Sequence, residues 1–374
     1  MNTPRTTPFN ARVALANRGN AWRRRGGFAL ADSYGDADAE ALVARAGVAM
    51  ADVSWRLRLL LEGARAGDCV ARLFTRDAAQ LLPGESMEAA WLNDEGAVRG
   101  TGTVARLTTY SYLVVATQGD SDWIARAARL FGVSCRDVAA AQCGLALVGP
   151  GAASVLAGAG IDAHLAPLAT APRNWHGRKL LLSRWWHGYE IWCAHHDALT
   201  LWDGLVQAGG AYALAPIGLS AMDVLDLECG IPASGRDFAP ARDQGAKEPL
   251  PRMLGLAPLI DEKHVQFNGR PAYIVGPFEQ CSLMGLEIES QCPAPHTPVE
   301  AGGRTIGRTL YSAYSPALRR AIALALIDEG EALPARSVSL TPPAARGRRG
   351  FSRVDATLVR LPFLPIAAPI FAEA

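Results

Sequence analysis

Three strand-like patterns follow one another closely between residues 87 and 117, and this feature restricts the fold most strongly. They are MEAAWLN, VRGTGTVARL and TTYSYLVVAT, and Asp94-Glu95-Gly96 joins the first two. Strands joined by such short turns pair in antiparallel fashion. Apolar residues at helical spacing precede them over residues 38–51 and 64–80 and follow them over residues 120–131. This order predicts an α+β lobe built on an antiparallel sheet.

A similar succession of patterns follows the first. LALVGP is strand-like, GAASVLAGAG favours a short helix, KLLLSRWWHGYEIWCA favours a hairpin and HDALTLWDGLVQAGG favours a helix. We therefore expect a second, related lobe. Beyond about Tyr273, short strand patterns beginning with YIVG are separated by turns rich in proline and glycine. Such spacing predicts a small C-terminal β barrel or sandwich.

Composition excludes several classes of protein. The 374 residues are 49% hydrophobic, enough to bury sizeable cores, and 37 Lys and Arg residues balance 36 Asp and Glu residues. Broad electrostatic attraction to nucleic acid or to acidic membranes is therefore not expected. The seven cysteines form no CxxC pair, and no apolar run is long enough to span a bilayer. We predict a cytoplasmic protein with neither a nucleic-acid partner nor a membrane partner.

The Gly100-Thr101-Gly102 stretch has a superficial likeness to a phosphate-binding loop. It lacks the third glycine of the dinucleotide motif, and the strand-like VARL follows it where a helix would be needed. Glycines within a strand instead mark a bulge or a place where another group approaches the backbone closely. Phosphate binding at this stretch is therefore not expected.

The stretch SRWWHGYEIWCAHHD is the densest in aromatic and ionisable residues. Strand alternation places Glu190 on one face with Trp186, Gly188 and Trp192. Because an unpaired buried carboxylate is costly, Glu190 is a candidate to accept hydrogen bonds from a ligand with N–H donors. A hairpin whose aromatic residues simply pack in the core is the alternative. The histidines here match no usual ligand spacing, so no metal site is expected.

Several segments, taken in order, resemble one family. They are ARAGVAMADVSWRLRLLLEG, LALVGPGAASVL, HGYEIW, APIGLSAMDVLDLECGIPASGRDF, EPLPRMLGL, FNGRPA, LYSAYSPALRRAIALALID and ATLVRLPF. The family is the folate-dependent aminomethyltransferase, or T-protein, of the glycine cleavage system, together with its demethylase relatives. The resemblance covers almost the whole chain.

The resemblance implies an α+β fold with two ferredoxin-like lobes and a C-terminal β barrel, arranged as a cloverleaf around a central channel for tetrahydrofolate. It predicts a folate-binding region over residues 1–272 and a barrel domain over residues 273–374. The two lobes would be interleaved, one over roughly residues 51–139 and the other over residues 1–50 with 140–272.

The resemblance also implies roles for individual residues. Glu190 stands at the family glutamate that hydrogen-bonds the pterin ring, and Trp186, Tyr189 and Glu88 are further candidates to contact the cofactor. Since pterin presents adjacent N–H donors, one carboxylate can accept two hydrogen bonds and fix the orientation of the ring.

The sequence departs from the family at the reactive end of this site. Gly100 and Thr101 occupy the positions of a paired aspartate, and Asp226 stands at a family arginine. Threonine can hydrogen-bond but supplies no negative charge to a developing cation. Thr101 and Asp226 are therefore the candidate catalytic residues of a rebuilt site, in which small side chains at positions 100 and 101 leave room for a substrate.

These features favour a tetrahydrofolate-dependent one-carbon transferase acting on a small-molecule methyl donor, a demethylase of an N-, O- or S-methyl compound. Two alternatives remain open. One is a non-catalytic protein that binds folate or another small ligand on the same scaffold. The other is the folate-binding subunit of a flavin oxidase, whose flavin-enzyme partner would supply the oxidation.

Overall fold

The computed structural model describes residues 3–117, 120–185, 187–242, 246–276, 280–341 and 353–364. The chain divides into two compact units. The first unit comprises Met1–Trp91, Gly100–Met222 and Asp261–Asn268, and the second comprises Leu92–Arg99, Asp223–Ile260 and Gly269–Ala374. Each unit is described by itself. The predicted boundary between residues 272 and 273 and the predicted limits of the two lobes stay predictions.

The elements run along the chain as follows. Up to residue 137 they are β1 (Arg5–Thr6), α1 (Asn10–Ala16), β2 (Trp22–Arg25), β3 (Phe28–Ala31), α2 (Ala37–Ala46), β4 (Ala49–Asp52), β5 (Leu57–Glu62), α3 (Ala66–Leu73), β6 (Ser86–Leu92), β7 (Val98–Thr108), β8 (Ser111–Ala116), α4 (Ser121–Leu130) and β9 (Ser134–Asp137). From there to residue 228 they are β10 (Gln142–Val148), α5 (Ala152–Gly158), β11 (Thr170–Trp175), β12 (Arg178–Trp185), β13 (Gly188–Ala194), α6 (Ala198–Gly209), β14 (Ala215–Pro216) and α7 (Leu219–Glu228). The last are α8 (Arg270–Val275), β15 (Cys281–Ile288), β16 (Pro298–Ala301), β17 (Arg304–Ser315), β18 (Arg320–Asp328), β19 (Ser337–Leu340) and β20 (Val354–Val359).

Two large sheets carry the N-terminal part of the fold. One has the strand order β6-β7-β8-β5-β9, and the other has the order β11-β12-β13-β10-β4-β14. A small sheet, β1-β3-β2, comes from the N-terminal residues. Of the pairing predicted from residues 87–117, the antiparallel pair of β7 with β8 is confirmed, and β6 lies next to β7 in the same sheet. The mixed α+β class is likewise confirmed.

Each large sheet buries one face under helices. On the five-stranded sheet, Leu59 and Leu61 pack with Val70 of α3 and Ile124 of α4. On the six-stranded sheet, β10 and β13 pack on α5 and α6 in a second apolar cluster. The opposite faces carry a smaller cluster in which Leu181 of β12 packs with Ala105, Leu113 and Val115 of the five-stranded sheet. The faces without helices therefore meet within the first unit.

In the second unit the C-terminal strands close into a barrel of order β15-β18-β17-β16-β19-β20, as predicted. The packing of strand β18 explains why its sequence is almost entirely apolar. Ala321, Ala323 and Ala325 belong to one buried cluster with β15, β19 and β20. Ile322 and Leu324, which point the other way, belong to another with Leu227 of α7 and with Met253. A strand buried on both faces loses the polar alternation of an exposed one.

Three predicted elements are wrong. The helix predicted over residues 64–80 ends with α3 at Leu73, because Phe74 is extended, and only a short 3-10 turn follows at Ala78–Gln80. The helix predicted over residues 38–51 ends with α2 at Ala46, and residues 49–52 form strand β4. Gly47 ends the helix, and Ala49–Asp52 are buried on both faces between β10 and β14, so a continuous apolar run conceals the change of period. The YIVG strand is instead the end of helix α8, which has a proline in its first turn.

Candidate functional site

Strand β13 presents two chemically different faces. Tyr189, Ile191 and Cys193 lie in the apolar cluster under α5 and α6. Glu190 and Trp192 lie on the opposite face, where the Trp192 indole Nε1–H donates to Glu190 Oε2 at 3.3 Å. The alternation predicted for these two residues is confirmed. The candidate site therefore lies on the face of the six-stranded sheet that carries no helices.

The carboxylate of Glu190 is buried, with 3% of the residue exposed, and it has protein partners. Arg56, just before β5, forms an ion pair with its Oε1, and Trp192 donates to its Oε2. The premise that Glu190 needs a ligand to compensate its burial is therefore wrong. Arg56 supplies the compensating charge. It comes from a segment far away in sequence, so the local pattern around Glu190 does not indicate it.

Arg58 lies two residues further along the same face of β5 and is 1% exposed. Its Nη1–H donates to Gln142 Oε1 of β10, and its guanidinium carbon lies 4.0 Å from the centroid of the Trp192 ring. Burial lowers the pKa of Arg58 to about 10, while Glu190 and Asp137 act to raise it. The side chain therefore stays charged at neutral pH.

Trp192 is held flat because the residue beneath it is glycine. Gly144 pairs with Trp192 across β10 and β13, and a Cβ at Gly144 would lie 2.5 Å from the indole. Real Cβ atoms do not approach ring atoms so closely, so a side chain at Gly144 would displace the ring. Backbone, indole and guanidinium thus form three layers at Gly144, Trp192 and Arg58.

Thr101 lies on β7, on the face that includes Ala105, and it is partly buried. Ala105 packs with β8 and with Leu181 of β12, so this is the face that meets the six-stranded sheet. Gly100 points the other way, and a Cβ there would lie 2.3 Å from the Trp91 ring. The expected room at position 100 is therefore absent, because the Trp91 indole fills it.

Glu88 lies on β6 and is partly buried. Its neighbours Met87 and Ala89 pack in the cluster under α3 and α4, so Glu88 is on the opposite face of the sheet. That is also the face of Thr101. The structure thus brings Glu88 and Thr101 to one sheet face and Glu190 to the sheet face that meets it.

Two family domains match this chain. Residues 12–245 match the GCVT N-terminal domain, and residues 282–364 match the glycine cleavage T-protein C-terminal barrel domain. The chain belongs to the glycine cleavage T-protein family.

Named relatives of the T-protein family match almost the full length of the chain. The aminomethyltransferase of Frankia alni is 31% identical over 345 residues, covering 87% of this chain and 88% of the relative. An aminomethyltransferase of Thermus thermophilus is 30% identical over 351 residues, covering 91% and 94%. The solved structure of glycine cleavage system aminomethyltransferase T from Bartonella henselae superposes with a TM-score of 0.85 at 22% identity, covering 97% of this chain and 98% of that one, and it supports the fold alone.

Within the T-protein fold, Tyr189 is placed away from the candidate site. It is 8% exposed and belongs to the helix-covered cluster, on the opposite face from Glu190. This position argues against a contact with a cofactor that Glu190 holds. Trp186 lies outside the described residues. The adjacent Trp185 is half-buried, and its indole Nε1 has no hydrogen-bond partner among the described residues.

Asp226 belongs to the second unit, on the part of α7 that follows Met222. Its side chain is 41% exposed, and its Oδ2 lies 4.0 Å from Arg236 Nη1. Arg236 also forms a bidentate ion pair with Asp237 and donates a hydrogen bond to Asp223 Oδ1. Asp226 is therefore one of three carboxylates around a single guanidinium.

Sequence reasoning did not single out Arg56 and Arg58, which the structure places at the candidate site. Both follow the Asp-Val-Ser turn of the T-protein motif, and their alternation with Leu57 and Leu59 was the available signal. No cluster of three or more histidine, cysteine, aspartate or glutamate side chains in the described ranges could hold a metal ion. None of the described helices is long and apolar enough to cross a membrane.

Proposed function

We propose that this protein is a tetrahydrofolate-dependent one-carbon transferase that demethylates a small N-, O- or S-methyl compound, and that it does not carry out the standard glycine-cleavage reaction. The observation that carries the proposal is the charge of the site. Thr101 is neutral at a position where the resemblance implies an aspartate. Arg58 lies on β5, in the sheet that carries Thr101, and Arg56 lies just before that strand. Among the described residues, the only ion-pair partner of these two arginines is Glu190. Transfer of an aminomethyl group develops positive charge, which a neighbouring carboxylate stabilises and guanidinium groups oppose.

The residues of the site fit a pterin. An ionised carboxylate offers about four lone-pair positions. Arg56 and Trp192 occupy two of those on Glu190, so it can still accept hydrogen bonds from pterin N–H groups. Tetrahydrofolate, when bound, supplies the N5 atom that accepts the one-carbon group. We propose Glu190 as its anchor and Glu88 as a second contact, and Trp186 stays a candidate from the sequence.

The chain's own contribution to catalysis is orientation. The ion pair with Arg56 fixes the position of the Glu190 carboxylate, so that it can hold a ligand in one orientation. Thr101 offers one hydroxyl group to position the methyl donor without adding charge. Holding two reactants in line removes much of the entropic barrier to a bimolecular transfer. Asp226 stays a candidate catalytic residue.

One observation favours a second candidate function. Since Arg56 already pairs with Glu190, a ligand must share a carboxylate that the protein itself has satisfied. That arrangement also suits a protein that binds folate or a small ligand without catalysis. A partnership with a flavin enzyme rests on the family resemblance alone.

Turnover separates these functions. The protein is incubated with tetrahydrofolate and a panel of N-, O- and S-methyl compounds, and 5-methyltetrahydrofolate is measured by mass spectrometry. A parallel reaction supplies the aminomethyl-lipoyl carrier of glycine cleavage. We expect methyl transfer from one class of donor and no glycine-cleavage turnover. Turnover with the lipoyl carrier alone would contradict the demethylase proposal, and folate binding without turnover on any donor would favour the non-catalytic function.

A further inference from the structure

Arg58 holds a buried positive charge whose hydrogen-bonding capacity is largely unused. It is 1% exposed. A neutral amide, Gln142, accepts from its Nη1, and the Trp192 ring lies beneath it. Its Nε has no hydrogen-bond partner among the described residues. A guanidinium has five N–H donors, and the described residues accept a hydrogen bond from only one of them.

Glu190 and Asp137 attract this charge, but neither forms an ion pair with Arg58 among the described residues. Glu190 is paired with Arg56 through Oε1 and with Trp192 through Oε2. These linked residues therefore comprise two guanidinium groups and one carboxylate. Burying an unpaired charge is strongly unfavourable, which is why buried arginines normally face a carboxylate or phosphate.

The guanidinium is also held in a fixed orientation. Gly144 lets the Trp192 indole lie against β10, and Arg58 stacks on the other side of the ring. A stacked guanidinium keeps its N–H donors in its own plane, directed away from the ring. That edge matches the two oxygens of a carboxylate.

We propose that Arg58 binds a carboxylate of the ligand that this site recognises. The inference deepens the proposed function, on which it rests for the identity of the ligand. Two sources could supply the same chemistry: the glutamate tail of tetrahydrofolate, or an acid group on the methyl donor itself. Arg58 lies beside Trp192, which donates to Glu190, the proposed anchor of the pterin ring. Because the glutamate tail is at the end of folate away from that ring, this position favours the donor.

The test is a calorimetric titration of the full chain and of Arg58→Gln, which keeps a donor for Gln142 but removes the charge. Arg24→Gln, at an exposed arginine, is the matched control. The ligands are tetrahydrofolate, 6-methyltetrahydropterin without a glutamate tail, methoxyacetate and methylthioacetate, and the primary amides of both acids. We expect Arg58→Gln to weaken binding of one class of carboxylate about 10- to 100-fold. The tail-free pterin and the amides should be unaffected, and Arg24→Gln should bind as the wild type does.

A loss confined to tetrahydrofolate assigns Arg58 to the folate tail, and a loss confined to the small acids assigns it to the donor. Since the wild type buries an unpaired charge, Arg58→Gln should also melt no lower than the wild type, unlike a variant that removes a structural contact. Arg58-dependent binding of the acids without any folate binding would support this inference and contradict the proposed function. Equal affinities of wild type and Arg58→Gln for every carboxylate, or no binding of any carboxylate, would overturn it.

Discussion

Gly100 and Gly144 each lie where a tryptophan ring leaves no space for a side chain. A Cβ would come within 2.3 Å of Trp91 at the first position and within 2.5 Å of Trp192 at the second. The sequence indicates that Gly100 is in a strand, but it does not show which side chain approaches from a neighbouring strand. The prediction of free space at Gly100 is therefore wrong, because the Trp91 ring packs against this position.

The first prediction concerns Gly100. Replacing it by alanine should lower the free energy of unfolding by about 1–3 kcal/mol, because the methyl group must displace the Trp91 ring. Chemical denaturation monitored by tryptophan fluorescence measures the change. Gly19→Ala is the control, since a Cβ at Gly19 meets nothing within 4 Å. An equal effect at both positions would show that the Trp91 contact is not the cause.

The second prediction concerns Thr101. If its hydroxyl positions the methyl donor while Glu190 holds folate, Thr101→Ala should leave the Kd for tetrahydrofolate unchanged and lower turnover about 10- to 100-fold. Thr101→Ser, which keeps the hydroxyl group, should retain most of the activity. A Thr101→Ala variant that turns over normally would remove Thr101 from the catalytic candidates.

At the scale of elements, strand alternation was predictable and strand partnership was not. The alternation of residues around Glu190 and Trp192 predicts a strand with two different faces. The ion pair between Arg56 and Glu190 forms because two sheets pack face to face, and no local sequence pattern predicts which sheets pack together. Strand β4 was missed for a related reason, since its apolar residues continue the pattern of the preceding helix.

The third prediction follows from the pairing of β10 with β13. Gly144→Ala should tilt the Trp192 indole and so disturb both the Glu190 hydrogen bond and the Arg58 stack. We expect a loss of about 1–3 kcal/mol in stability and a weaker affinity for folate. Near-ultraviolet circular dichroism and a folate titration measure the two effects. Unchanged folate affinity in a folded variant would separate the indole from ligand binding.

The fourth prediction concerns the turn after β4. Asp52 is buried, accepting from the Thr7 hydroxyl at 2.5 Å and from the Ser54 N–H at 3.0 Å. Burial raises the pKa of Asp52 above 3.8, although these hydrogen bonds act to lower it. The folded state therefore binds this proton more tightly than the unfolded state. The stability that Asp52 contributes is complete below about pH 3.8 and is lost as pH rises through the higher folded pKa.

Asp52→Asn cannot titrate, yet its Oδ1 can still accept from the Ser54 N–H while its amide N–H donates to the Thr7 hydroxyl. The stability of the wild type relative to this variant should therefore decline as pH rises from acid toward neutrality. Thermal unfolding of both proteins across that range measures the trend. Asp94→Asn, at an exposed turn position, controls for the general effect of removing one carboxylate. A relative stability that instead rises with pH would contradict the assigned direction of the Asp52 shift.

At the scale of the whole molecule, ordered motifs predicted more than any single segment. The C-terminal strands and the chain-long series of family-like segments led to the barrel and to the T-protein family, and both are confirmed. Local patterns did not distinguish helix α8 from the predicted YIVG strand, because six residues are too few to establish a period. Membership of the family also leaves the reaction open, since function depends on the side chains of the site and one scaffold can carry several reactions.

The central claim is that a folate is held through Glu190. Calorimetric titration of the wild type, Glu190→Gln and Glu190→Ala with tetrahydrofolate and 5-methyltetrahydrofolate tests it most directly, with a melting curve to establish that each variant is folded. We predict that the wild type binds, that Glu190→Gln binds more weakly, and that Glu190→Ala loses at least about tenfold in affinity. Equal affinity in wild type and folded Glu190→Ala, or no binding of either folate by the wild type, would contradict the account.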